Sequence, residues 1–160
     1  MAAVYVAKVD WKLRDGDDFL RGRYSRAHTV GFDGGFRMPG SPSPHVVPAP
    51  WSDPSAVDPE EAFVAAISTC HLLTFLHKAR EAGLIVASYN DEAEGVMTKS
   101  GTGRWAISRV TLRPAIAYHG AAPTLPELDY LHKAAHEECF IANSVTTEIV
   151  VEERDERPQF

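Results

Sequence analysis

The segment from Asp58 to Gly83 constrains the fold of this 160-residue chain more than any other. Asp58 can cap a helix, Pro59 suits the first helical position, and Glu60 and Glu61 complement the positive helix end. A helix is predicted from there to about Ala82, stopped by Gly83. Between Ala62 and Leu76 it is apolar on nearly every face, through Phe63, Val64, Ile67, Leu72, Leu73, Phe75 and Leu76. No apolar run approaches the roughly 20 residues of a membrane span, so this helix is expected to be the central core helix of a globular domain. Ser68, Thr69, Cys70, His71 and Thr74 interrupt its middle. Small polar groups there are either satisfied inside the fold or belong to a site.

The remaining segments read mostly as strands. Val4, Val6 and Val9 mark one strand, Phe19 to Phe32 one or two hairpin arms, and Asp33-Gly34-Gly35 a tight turn. Residues 38–54 hold six of the 11 prolines and are predicted to form an extended loop. Beyond Gly83, residues 85–89, 92–98, 104–114 and 115–119 alternate like strands, with Gly101-Thr102-Gly103 as a hairpin turn. Leu125 to Cys139 has helical spacing, 145–151 is a β-branched strand, and 152–160 is a charged tail. The expected fold class is α+β, a mostly antiparallel sheet with a long core helix and a second helix in a single domain over 1–160.

A formal net charge of -6 argues against binding nucleic acid, whose affinity rests on Lys and Arg. Met1 to Trp11 lacks the basic start and continuous apolar stretch of a secretory signal, and no membrane partner is expected, so the protein is placed in the cytoplasm. In that reducing compartment Cys70 and Cys139 read as inert buried thiols or as a reactive pair, not as a structural staple. His71 and His136 complete a Cys₂His₂ set that raises the question of zinc. Cys70 and His71 are adjacent, however, and adjacent helical side chains diverge by about 100°, a poor chelate. His136 then reads as a helix-packing or capping group near the second cysteine, and His71 as facing the core or an interface.

A thiol that reduces peroxide needs a stabilising cation and a way to resolve its sulfenic acid. Glu60 precedes Cys70 by ten positions, close to three turns, which is expected to put the two on nearly one face, where Glu60 can hold an arginine against the sulfur. The candidates are Arg21, Arg23 and Arg26. Cys139 ends the second helix, and side-by-side helices would bring the two sulfurs together.

The run Asp58-Pro59-Glu60-Glu61-Ala62-Phe63-Val64-Ala65-Ala66 leading to Cys70, with Ala134-Ala135-His136-Glu137-Glu138-Cys139 later, resembles the OsmC/Ohr family. The resemblance implies an intertwined homodimer with sites at the subunit interface. It further implies a cysteine-based peroxidase that reduces organic hydroperoxides in oxidative-stress defence. Cys70 matches the peroxidatic cysteine, Cys139 the resolving cysteine, and Glu60 the orienting carboxylate. Arg26, in Tyr24-Ser25-Arg26-Ala27, matches the family arginine, with Arg23 nearby. No resident cofactor is implied; an external dithiol of the lipoyl type would restore the thiols. Phe63, Leu73 and Trp51 are expected to line a pocket that prefers organic peroxides. His71 beside the first cysteine and Phe140-Ile141-Ala142-Asn143-Ser144 after the second point to an OsmC-like subgroup. The alternative is a non-catalytic stress or ligand-binding protein with unreactive cysteines.

Overall fold

The computed structural model describes residues 2–152 and Arg154. The charged tail expected over 152–160 lies outside the described residues, except for Glu152 and Arg154. The chain divides into two compact units, 1–62 and 63–160.

In the first unit, strands β1 (Ala7–Asp10), β2 (His28–Phe32) and β3 (Arg37–Gly40) form an antiparallel sheet in that order. The β2–β3 turn falls on the expected glycines, and Gly35 takes φ +85°, which an L side chain rarely adopts. β3 claims the start of the Pro-rich segment. It is an edge strand, so Pro39 costs the sheet no central hydrogen bond. The remaining loop is pinned by Ser41, whose Oγ accepts the Asp53 N–H at 2.8 Å. Residues 19–27 do not form the expected hairpin arm. Their one ladder contact is an isolated bridge between Asp18 and Arg23, and the Trp11, Phe19 and Tyr24 rings cluster at centroid distances of 4.6–6.2 Å.

Helix α1 (Pro59–Glu81) begins with a reciprocal cap. The Glu61 N–H donates to Asp58 Oδ1 at 2.7 Å, and the Asp58 N–H donates to Glu61 Oε2 at 3.1 Å. It stops at Gly83, whose φ of +77° suits a helix C-terminus.

In the second unit, β4 (Ile85–Asp91) pairs antiparallel with β7 (Pro114–His119). β5 (Glu94–Lys99), β6 (Trp105–Leu112) and β8 (Glu148–Val151) form a second sheet in the order β5-β6-β8. Among the described strands of this unit β6 and β8 are the pair that runs parallel. Helix α2 (Leu125–Glu138) is opened by Glu127, whose carboxylate accepts the Thr124 N–H and hydroxyl, both at 2.7 Å. Two helices with mostly antiparallel sheets make the chain α+β, as expected.

Two cores meet along α1. Near its start, Ile67 joins Val110 and Leu112 of β6, with Phe63, Val64, Ile107 and Ile149 around them. Nearer its end, Phe75 and Ala79 pack on Leu131 and Ala135 of α2, with Val86, Tyr89 and Ile116 at the edge. The helix is not buried all round. Ile67, His71, Phe75 and Ala79 recur every four residues as one buried stripe. Leu73 is 63% exposed and Leu76 37%, and Ala65, Ala66 and Thr69 lie open as well. At 23 residues α1 is also long and apolar enough, by length and composition, to cross a membrane, a length the sequence reading placed out of reach. Core helices pass the same test, and the buried stripe of α1 is taken up by strands and α2.

Candidate active site

Cys70 and His71 lie on α1 between its two cores, and of the polar interruptions of the helix Ser68, Cys70, His71 and Thr74 find partners while Thr69 is exposed. Thr74 Oγ1 donates to the Cys70 carbonyl at 2.9 Å. Ser68 Oγ donates to Asp91 Oδ2 at 2.5 Å, and Asp91 Oδ1 accepts the Arg113 N–H at 2.6 Å. His71 Nε2 meets His132 Nδ1 of α2 at 3.0 Å.

Cys139 caps the C-terminus of α2 with an extended backbone, its N–H bonded to the His136 carbonyl at 3.3 Å. There its Sγ donates to Cys70 Sγ at 2.7 Å, and both cysteines are free thiols. The chain thus brings together two sulfurs 69 positions apart. Cys139 is buried and Cys70 only partly so. Burial pushes the Cys139 thiol pKa up, reinforced by its bond to Cys70; the backbone N–H of Ala142, 3.4 Å from the sulfur, pulls the other way. The pair is therefore asymmetric: a shielded thiol that keeps its proton faces a more accessible sulfur that accepts it.

Arg26 and Glu60 belong to the first unit. The Arg26 guanidinium sits 4.1 Å over the Tyr24 ring and donates to the Tyr24 carbonyl at 3.1 Å and the Gly22 carbonyl at 3.5 Å. Among the described residues no ion pair joins Arg26 to Glu60. Arg21 pairs with Asp18 at the surface. Glu60 is half-buried in the first turn of α1. Ten residues at 100° each fall about 80° short of three turns, so Glu60 occupies a stripe beside that of Cys70 rather than the same one. Of the residues expected to line an apolar pocket, Phe63 packs into the core with Ile67, Leu73 is exposed, and Trp51 lies in the first unit.

Among the described residues no three His, Cys, Asp or Glu side chains cluster so as to hold a metal ion. His136, expected as a packing or capping group, is exposed in the last turn of α2, where its carbonyl accepts the Cys139 N–H.

The feature that sequence reasoning missed is the His71–His132 pair. Both rings are buried, at 1% and 5% exposure, and His132 also stacks on Phe75 with centroids 4.6 Å apart. Burial lowers both pKa values to about 4, reinforced for His71 by His136 and for His132 by His71. Two sequence signals existed: His71 adjoins Cys70, and His132 precedes Cys139 by seven residues, two turns of one helix.

Residues 52–154 match the family described as OsmC-like protein. Among solved structures, the chain is similar to an OsmC-like protein of unknown function from Vibrio cholerae O1 biovar eltor, with 48% identity and a TM-score of 0.92, covering 96% of this chain and 100% of that one. It shares its fold with the organic hydroperoxide resistance protein OhrB of Bacillus subtilis, at 22% identity and a TM-score of 0.66 over 95% of this chain and 100% of that one. The same holds for an organic hydroperoxide resistance protein from Elizabethkingia anophelis, at 18% identity and a TM-score of 0.66 over 96% of each chain. A comparison with curated proteins gave no match.

Proposed function

Because this chain belongs to the OsmC-like family, we propose that it is a cysteine-based peroxidase that reduces organic hydroperoxides to alcohols in the cytoplasm. One observation carries the reading: free thiols from two different helices stand 2.7 Å apart. Inert buried cysteines have no need of such an approach, whereas a pair that closes to an S–S bond of about 2.05 Å requires it. Proteins of the same fold named for organic hydroperoxide resistance supply the substrate class.

In the proposed cycle the Cys70 thiolate attacks one oxygen of the peroxide. An S–O bond forms, the O–O bond breaks, and the departing alkoxide takes a proton to leave as alcohol. The peroxide gains two electrons and Cys70 becomes a sulfenic acid. The Cys139 sulfur then attacks Cys70. An S–S bond forms, and hydroxide leaves as water with the proton Cys139 gives up. An external dithiol of the lipoyl type reduces the disulfide by exchange and is itself oxidised. Arg26, oriented by Glu60, is the proposed cation for the thiolate and the developing oxyanion.

The open apolar face of α1, with Leu73 and Leu76, is the proposed homodimer surface. Light scattering is expected to give twice the chain mass of 17.6 kDa, and a monomer at micromolar concentration would remove the dimer from the reading.

The test of the activity is a hydroperoxide titration of the reduced protein with free-thiol counting and mass analysis. Both thiols should disappear into one intramolecular disulfide, faster with cumene hydroperoxide than with hydrogen peroxide. Cys139→Ser should react once and stall with Cys70 as sulfenic or over-oxidised acid. Survival of both thiols in excess peroxide would make the chain a non-catalytic member of its family.

A further inference from the structure

Cys70 and Cys139 alone make a poor bearing. One sulfur contact fixes one distance, and the apolar packing of Phe75 and Ala79 on Leu131 and Ala135 beside it is not directional. A second buried contact joins the same helices, the 3.0 Å hydrogen bond between His71 and His132. On α1 the two attachment points are consecutive residues. On α2 they are seven residues apart, about 10 Å along the axis and about 20° short of two full turns. Two attachments spread along α2 restrain its tilt as well as the sulfur distance. A further tie, Lys78 Nζ to Glu138 Oε1 at 2.5 Å, has its carboxylate 55% exposed, and ion pairs at such exposure contribute little.

The pair is built for this task. Both rings are buried, His132 is stacked on Phe75, and Phe75 packs with Leu131 and Ala135 in the α1–α2 core. At neutral pH both imidazoles are uncharged, so one N–H and one lone pair face each other without repulsion. His132 Nε2 is buried and has no hydrogen-bond partner among the described residues. The ring therefore accepts one unsatisfied nitrogen to present the other to His71, a cost that a residue serving only to fill the core would not carry.

We propose that the His71–His132 hydrogen bond is the positioning device that keeps the Cys139 sulfur within bonding reach of Cys70 as the pair passes between dithiol and disulfide. His71 and His132 are positioning residues: they act through the helices and not on peroxide. The inference rests on the proposed dithiol–disulfide cycle, but not on the identity of the oxidant.

The experiment measures the equilibrium between the Cys70–Cys139 disulfide and glutathione in the full chain, for the wild type, His132→Phe and His132→Asn. Phenylalanine preserves the stacking and fills the space; asparagine keeps a hydrogen-bonding atom near the Nδ1 position. If His132→Phe does not fold, His132→Leu replaces it. Losing the tether should lower the effective concentration of the two thiols by about three- to tenfold, the worth of one hydrogen bond. His132→Asn should recover most of that loss, which a purely space-filling role for His132 would not predict. An unchanged equilibrium in the apolar variant overturns the proposal, as does an equal loss in both variants. Because glutathione replaces peroxide, a wild type that forms the disulfide but consumes no hydroperoxide overturns the peroxidase reading and leaves the positioning claim standing.

Discussion

Cys70→Ser is expected to abolish hydroperoxide turnover, by on the order of 10⁴-fold or more, the scale seen when an enzyme loses its nucleophile. A serine hydroxyl is not ionised at neutral pH and forms no equivalent of a sulfenic acid, so neither the first bond nor the second can form. Cys139 cannot take over, because it is buried and its thiol pKa is raised. The fold should survive, since Cys70 is only partly buried and the substitution is nearly isosteric. Circular dichroism and a coupled peroxide-consumption assay decide the matter together. A folded Cys70→Ser protein that retains more than about one part in a hundred of wild-type turnover would move the nucleophile elsewhere.

The second large effect is on stability in acid. The pKa of each of His71 and His132 is lowered from 6.5 to about 4 in the folded chain, first by burial. The nearby charges oppose each other: Asp91 favours protonated His71 and Asp129 favours protonated His132, while His136 disfavours protonated His71. With the folded pKa below the unfolded one, the unfolded chain takes up protons first as the pH falls. Stability present above pH 6.5 is therefore lost progressively down to about pH 4 and levels off below it. For one histidine a lowering from 6.5 to about 4 corresponds to on the order of 3 kcal/mol. Surface carboxylates with lowered pKa values, such as Glu81 and Glu148, titrate below 4.5 and so outside most of this window. Urea denaturation at intervals from pH 7.5 to 4.5 should show the decline, and a His71→Phe/His132→Phe double variant should be nearly flat there. A wild type equally stable at both ends would mean that the pair is not buried in solution.

Much of the fold was legible because its signals are local. Asp58, Pro59 and Gly83 bound α1 to within a residue, since a cap, a fixed φ and a left-handed stop act within one turn of chain. Gly35 and the Gly101-Thr102-Gly103 turn place two hairpins for the same reason. Residues 19–27 read as a hairpin arm yet find only the isolated Asp18–Arg23 bridge, because a strand exists only where a partner supplies hydrogen bonds. The parallel pairing of β8 with β6 likewise has no local signature.

The cysteines on which the proposed chemistry rests, Cys70 and Cys139, divide along the same line. By itself the sequence determined that both end up on helices, one in the middle and one at the end, because helix periodicity and capping are written in neighbouring residues. Only the tertiary structure decided that their sulfurs stand 2.7 Å apart, and that a buried histidine pair joins the same two helices beside them. The His71 and His132 contact spans 61 positions, and the placing of each histidine near a cysteine marks the two rings without pairing them. It arises when the apolar stripes of α1 and α2 close on a common core and bury two polar rings that have little but each other to bond.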